Sequence, residues 1–569
     1  MKIIRFLGLV FLVTIISLFS GFLLSYRAQG LLNTRYNPPE IALANFQQPP
    51  EKVLFSKALD FADIAWKTFV TLNWPANDDG SPLENFVLGQ APVVPRVWEF
   101  YRRPEEVFLP NGESPLLNTP NPLATTLNID LFEGQGSGLE TKSDLQENSK
   151  FLAENSRVNL EENLLNSRAW IKKVIDSNYK CQGKNNSICD DTEKNNFVGE
   201  ANKLVLNNIP IVDQKGNYII VEMHLNGNEF NQIVNNEWYK ASKLAEYDDE
   251  KNRFQFESTT ASIDAPIEIK AAWRVFDENS SPGEKARYYT TKRVLAIPAD
   301  KYVCTTDNCG TDPPALETDP PVLKEVEVGL IGFHIAYKIP QQEVSAPGWI
   351  WATFEQVDNL QVDNPPPGID LKPTLSNPGC ETNANKENSD QENCLPNYPY
   401  VEWPFLWRDQ SPHAVTRQDG QIKEQIPTQV QRLSKSSTLS DAVKKDLKQQ
   451  NKNWQEAFRN VTPDSVWQYY QLVGTQWLQN PRKITDTPLL PRDKLMSNIR
   501  LQQVQPGALV NVSMEAYSQT KVNGDSCIGC HVAAILQSSS DNSQKVTSDF
   551  SFLLERAESS SDNLSKEVK

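Results

Sequence analysis

Histidine and methionine are scarce in this chain, four of each among 569 residues. That scarcity restricts metal chemistry at once. After Met1, the strong nitrogen and thioether donors are Met223, His224, His334, His413, Met496, Met514 and His531. Nucleotide and hydrolase signatures are also missing: no P-loop, GxSxG or HExxH occurs, so those chemistries have no motif support. Basic stripes are absent too. Lys plus Arg total 56 against 72 Asp plus Glu, a formal charge of −16, which disfavours nucleic acid as a partner. No fixed-period repeat appears, so neither a solenoid nor a propeller is expected.

Apolar and aromatic residues are plentiful. Hydrophobic content of 39%, 13 Trp and 24 Phe are enough to build a folded core, while 38 Pro imply long loops. The opening "MKIIRFLGLVFLVTIISLFSGFLLSYRAQG" sets Lys2 and Arg5 before an apolar run from Phe6 to Tyr26, long enough to span a bilayer core. No small-x-small cleavage site follows it. The favoured expectation for residues 1–30 is an uncleaved membrane anchor with a cytoplasmic N-terminus, and the alternative is a cleaved export signal. Either places the bulk of the chain outside the cytoplasm, in the periplasm or an equivalent compartment.

Cysteine usage agrees with export. Eight cysteines form four close pairs: Cys181 with Cys189, Cys304 with Cys309, Cys380 with Cys394, and Cys527 with Cys530. The first three pairs lie in polar, Asn- or Pro-rich stretches where local disulfides would staple loops. A metal site built from them would lack a nearby His and a second CxxC.

Periodicity gives the organisation. Leu54, Ala58, Phe61, Ala62, Ala65, Phe69 and Leu72 recur at helical spacing, with Pro75 marking the end of an amphipathic core helix. "NDDGSPLEN" (77–85) reads as a turn in preference to a cation loop. Residues 209–226 read as a hairpin turning at Asp213 to Asn217. "PIEIKAAWRVF" alternates with period two, predicting a half-buried strand, and strands are also expected in "ARYYTTKRVLAIP" and in "KEVEVGLIGFHIAYKIP", the last of them central. A Pro- and Asn-rich loop over 361–400 then separates sheet from helices. Helices are expected in "DAVKKDLKQQNKNWQEAFRN" and "TPDSVWQYYQLVGTQW", the second with Thr462 and Pro463 at its start. The fold class expected is α+β: a domain over 31–360 with a β-rich core and a helical N-terminal segment, and a helical region over 401–569 packed on it.

The strongest chemical signal is "SCIGCH". In a helical turn Cys527, Cys530 and His531 share one face, so two thiols can meet two vinyl groups while an imidazole points at iron from the same side. Gly529 removes a side chain there, and Asp525 or Ser526 can cap the turn. At this Cys and His content chance yields the pattern roughly 8 times in 10,000 chains, so covalent haem is the favoured reading. A thioredoxin-like redox pair lacks a surrounding βαβ unit, zinc lacks a fourth ligand, and a plain disulfide leaves the His incidental; these stay open as alternatives. The expected cofactor is one covalently attached haem c, with Cys527 and Cys530 as thioether anchors and His531 as proximal iron ligand.

The 38 residues after His531 contain neither Met nor His, so a second strong ligand must come from upstream. Met514, 13 residues before Cys527, ranks first. Its alternative is an ordinary core Met. His334 lies inside an apolar strand, where a core histidine is the default and a distal ligand or acid/base residue the alternative. His224 and His413 are weaker candidates. Trp403, Phe405 and Trp407 could line a pocket, although aromatics at this density usually belong to the core.

Together "FVTLNWP", "HIAYK", "WIWATFEQVDN", "YYQLVGTQW", "SMEAYSQT", "SCIGCH" and "DFSFLLERA" resemble, in patches from about residue 60 to 557, an uncharacterised family of exported bacterial cytochrome c-like proteins with a C-terminal CxxCH motif. That resemblance implies haem binding and electron transfer, and it supplies no substrate. The expectation is therefore an exported, membrane-anchored monohaem c-type protein that exchanges electrons with a redox partner, a basic one given the net charge. The alternatives are an open-site haem enzyme acting on peroxide or another small substrate, with His334 as proton handler, and a haem-containing sensory or binding module.

Overall fold

The computed structural model describes, with gaps, residues 58–115, 210–297, 302–338, 348–478, 504–517, 527–537 and 546–557. The N-terminal apolar run, the Cys181/Cys189 and Cys304/Cys309 pairs, Met496, Trp403 and Phe405 lie outside the described residues. Among the described residues no helix is long and apolar enough to cross a membrane.

Helices and strands are mixed around one large antiparallel sheet. Its strands are β1 (Ile220–Leu225), β2 (Ile267–Phe276), β3 (Thr290–Ile297), β4 (Val322–Lys338), β5 (Trp349–Gln356), β6 (Tyr470–Leu478) and β7 (Val504–Gln505). The order is β1-β2-β4-β5-β6-β7, and β3 pairs with the first half of β4. Strand β4 is central, as its run of apolar residues on both faces predicts. Strand β2 differs from expectation. It lies between β1 and β4 and is buried on both faces, with Lys270 alone half-buried, because its second face is covered as well.

One face of the sheet is covered by helices α1 (Ala58–Leu72) and α3 (Asp441–Val461). Phe61, Ala62, Ala65, Trp66, Phe69 and Leu72 are buried there against Phe333, Ile335, Ala352 and Phe354. Trp66 stacks on Trp454 of α3 at 5.5 Å, and its indole N–H donates to Asn451 Oδ1 at 3.1 Å. Burial of each such side chain is worth about 1.5–3 kcal/mol as an upper bound, so this aromatic layer dominates the stability of that face. Arg293 crosses the same face to bind Glu222 at 2.8 Å and Glu99 at 3.0 Å.

The largest correction concerns the residues after 461. "YYQLVGTQW" is not a helix: after a 3-10 turn over Val466–Tyr469 the chain runs as β6, paired with β5. The reason was visible in the residues. Tyr470, Leu472 and Gly474 are buried while Gln471 and Val473 are half-buried, a period of two, and Val473, Thr475 and Trp477 favour a strand. A small three-stranded sheet also spans 406–424. The loop before residue 401 thus does not separate sheet from helices. Within it Cys380 and Cys394 form a disulfide, closing 14 residues.

The turns follow their residues. Gly80, at φ 82°, closes the turn after Asn77, whose neighbour Asp79 accepts hydrogen bonds from Ser81 N and Oγ. Asp213 N–H donates to the Asn217 carbonyl at 2.9 Å and closes the expected hairpin turn.

Candidate functional site

The second face of the sheet positions the CxxCH segment. Because side chains alternate across a strand, cross-strand partners on this face form rows about 7 Å apart. The first row is Leu225, Glu268, Ala336, Trp351 and Gln476; the second is Met223, Lys270, His334 and Thr353; the third is Val221, Ala272, Gly332 and Glu355.

Cys527–His531 forms a short helix, α4, over the first row. Gln476 Oε1 accepts from Ile528 N–H at 2.9 Å, and Ile528 is fully buried among Trp351, Leu553 and Leu554. Cys527 is half-buried, with Sγ 3.9 Å from the Leu509 carbonyl. The expected helical turn and the common face of Cys527 and His531 are therefore present; the side chain of Cys530 lies outside the described residues.

His531 is held on several sides. Its Nδ1 donates to the Phe550 carbonyl at 2.7 Å, and its ring stands 5.6 Å from Trp351 and 5.1 Å from Phe552. With Nδ1 so engaged, the tautomer is fixed and Nε2 carries the lone pair. Burial, more than the Phe550 carbonyl can offset and with smaller contributions from Lys270 and His334, lowers the imidazole to about 4. The ring is neutral at physiological pH although part of it reaches solvent.

The Phe550 carbonyl reaches His531 through an unusual backbone. Asp549 and Phe550 adopt φ of 53° and 69°, a left-handed conformation that costs a bulky residue about 1–2 kcal/mol. Asp549 anchors it: its Oδ2 accepts from Phe256 N–H at 2.9 Å and pairs with Lys338 Nζ at the end of β4. Leu553, Leu554 and Ala557 bury beside them, the first two on a 3-10 turn over Leu553–Arg556.

The upstream donors are sorted by the two faces. His224 lies on the opposite face, its ring 5.1 Å from Trp98 and its Nδ1 3.0 Å from the Tyr101 carbonyl. His413 lies just before the small sheet's Ala414–Gln418 strand, bridges to Asn217 and pairs with Glu424. Met223, His334 and Met514 share the face of His531. Met514 sits in a turn over 511–515 above the third row, where Val512 N–H donates to Glu355 Oε1 at 2.8 Å and Asn511 Nδ2 to Thr353 Oγ1 at 2.8 Å. It is buried with Ile331, Ala272 and Val512. Gly332 is required there: a Cβ would collide with Ser513 Oγ and lie 3.1 Å from Met514 Cε.

His334 occupies the second row, between the CxxCH helix and the Met514 turn. Its Nε2 is 3.2 Å from Glu515 Oε1, close enough for an ion pair yet off the line of a good hydrogen bond. Burial pushes Glu515 up, but His334, Lys270 and the Asn511 N–H together outweigh it and leave the carboxyl below its usual range.

A second polar group beside the site had no sequence signal. Glu229, on helix α2 (Gly227–Asn235), and Glu268 are buried against each other, and both oxygens of Glu229 lack a well-formed hydrogen bond. Burial, then the facing Glu268, pushes Glu229 well above the carboxylate range; burial likewise raises Glu268 to about 7. Asp549 adds to both effects, so this pair adjoins the segment that holds His531.

Among the described residues no group of three or more His, Cys, Asp or Glu is arranged to hold a metal ion. A single imidazole with covalent anchors needs no such group. The donor set fits a haem better than zinc: one neutral histidine, tautomer fixed by a carbonyl, on a CxxCH turn flanked by aromatic rings. No family profile, curated protein or solved structure matches the chain. The resemblance to cytochrome c-like proteins thus stands on its sequence patches alone.

Proposed function

We propose that this chain is an exported monohaem c-type electron-transfer protein of α+β architecture, with a C-terminal haem-bearing part completed by the central sheet. The observation that carries the reading is the bond from His531 Nδ1 to the Phe550 carbonyl within a CxxCH turn. A solvated histidine in an incidental motif has no reason to be tautomer-fixed, held well below its ordinary range and walled by Trp351 and Phe552. Cys527 and Cys530 would hold the haem as thioethers and His531 would bind its iron. When bound, the haem supplies one-electron ferric/ferrous chemistry.

The chain's own residues perform the rest. Trp351, Phe552 and Ile528 exclude water from the histidine side and orient the ring. Asp549 and Lys338 fix the backbone that aims the Phe550 carbonyl. Met514 and His334 are the candidates for the opposite side, and the row spacing puts His334 nearer to His531 than Met514. Residues 1–30 would anchor the protein to a membrane, and the net charge of −16 favours a basic redox partner.

His334 carries a second reading. Its pairing with Glu515 suits a residue that holds and passes a proton, as a haem enzyme acting on peroxide or another small substrate requires. Expression with haem-attachment machinery followed by a pyridine haemochrome spectrum tests the shared premise, and absence of covalent haem refutes both readings. Carbon monoxide binding to the reduced protein favours the enzyme. A ferric methionine–iron charge-transfer band that disappears in Met514→Ala favours electron transfer with Met514 as ligand; loss of a bis-histidine spectrum in His334→Ala assigns that place to His334.

A further inference from the structure

Strand β2 carries the haem-facing side of the sheet beyond Ala272 to Arg274, four residues past Lys270 and so about 13 Å along the strand. Arg274 is 1% exposed. Its Nη1 lies 2.8 Å from Glu284 Oε1 and its Nη2 3.8 Å from Asp213 Oδ2, but Nε is buried without a hydrogen-bond partner. A buried donor left unsatisfied is costly and calls for an explanation.

Arg274 lines a cavity of about 310 Å³ together with Lys215, Arg287, Tyr288 and Lys372. That volume lies at the lower end of small-metabolite sites, about 300–1,000 Å³. The wall bears four cationic side chains and two carboxylates, Glu284 and Asp358. Both carboxylates are already occupied. Glu284 accepts from Lys215 Nζ at 2.8 Å as well as pairing with Arg274. Asp358 accepts from Arg287 Nε and Nη2, both at 2.6 Å, and from Lys372 N–H at 2.9 Å. Counting Asp213 beneath the wall still leaves one positive charge in excess. Lys372 is exposed and has no ion pair among the described residues. Tyr288 adds a hydroxyl whose proton burial retains well above its usual range. The cavity is therefore rich in donors and short of acceptors, in a chain that is acidic as a whole.

We infer that this cavity binds a small metabolite bearing an oxyanion, carboxylate or phosphoryl, which supplies the acceptors that Arg274 Nε and Lys372 Nζ lack. The inference is independent of haem, since none of the cavity residues belongs to the CxxCH site.

Calorimetric titration of the full-length protein with inorganic phosphate, succinate and citrate, each against sodium chloride at matched ionic strength, tests this. At least one should bind and raise the thermal midpoint, and the preferred one separates phosphoryl from carboxylate recognition. Lys372→Glu, at an exposed position that keeps its backbone bond to Asp358, should weaken that binding about tenfold or more and leave the thermal midpoint of the ligand-free protein unchanged. Absence of binding by all three anions, or equal affinity in Lys372→Glu, overturns the assignment.

Discussion

The buried Glu229–Glu268 pair offers the most quantitative test of the site's surroundings. Glu268 rises from an ordinary value of 4.5 to about 7 because burial disfavours its anion. Such a group binds protons more tightly in the folded than in the unfolded chain, so stability is fully present below pH 4.5 and is lost as pH rises through about 7. At 1.36 kcal/mol for each tenfold change, the loss is about 3 kcal/mol for this group alone. Glu268→Gln keeps the shape and removes the ionisation. The variant should match the parent at pH 4 and exceed it by about 3 kcal/mol at pH 8, flattening the fall in stability between the two. Urea denaturation followed by tryptophan fluorescence across that range measures the difference. Parallel profiles for parent and variant would refute the idea that this carboxyl is forced to hold a proton.

Three further outcomes follow from the packing. Gly332→Ala forces the 511–515 turn away from β4 and should cost about 1–3 kcal/mol in denaturation experiments; an unchanged midpoint would show that the turn yields freely. Arg293→Met removes a buried cation shared by Glu99 and Glu222 while Glu222 keeps Arg103 at 3.0 Å; the expected loss is about 3–5 kcal/mol, with part recovered in the double variant with Glu222→Gln. Replacing Cys380 and Cys394 by Ala should lower stability by about 3 kcal/mol at most, since the bond closes a loop of 14 residues; identical denaturation midpoints would show that the bridge restrains only local structure.

Much of the scaffold was legible because its residues obey simple periods. Phe61, Ala65, Trp66 and Phe69 repeat as a helix, and the two-sided apolar run of β4 reads as a central strand. The reading failed at 462–478, where Thr462 and Pro463 resemble a helix start while the β-branched and aromatic residues after them, with burial alternating over 470–474, belong to a strand. The site divided in the same way. The helical turn over Cys527–His531 was legible from a local motif, whereas the Phe550 carbonyl reaches His531 through a positive φ that nothing in "SDFSF" announces. Glu229, Glu268, Glu515 and Arg274 matter through neighbours tens to hundreds of residues distant, which no local pattern encodes. His334 looked like an ordinary core histidine until the fold set Glu515 beside it.

The supports of α4 have a consequence for how the chain assembles. Ile528 leans on Gln476, His531 on Trp351, and Asp549 on Phe256 and Lys338, the last two separated from it by 293 and 211 residues. Contacts spanning such lengths of chain form late, after the loops between them have closed. The segments around α4 and Asp549 are then expected to order only once β4 to β6 exist. Proteolysis during refolding should cut there first, and a fragment carrying "SCIGCH" alone would have the chemistry of the motif without its architecture.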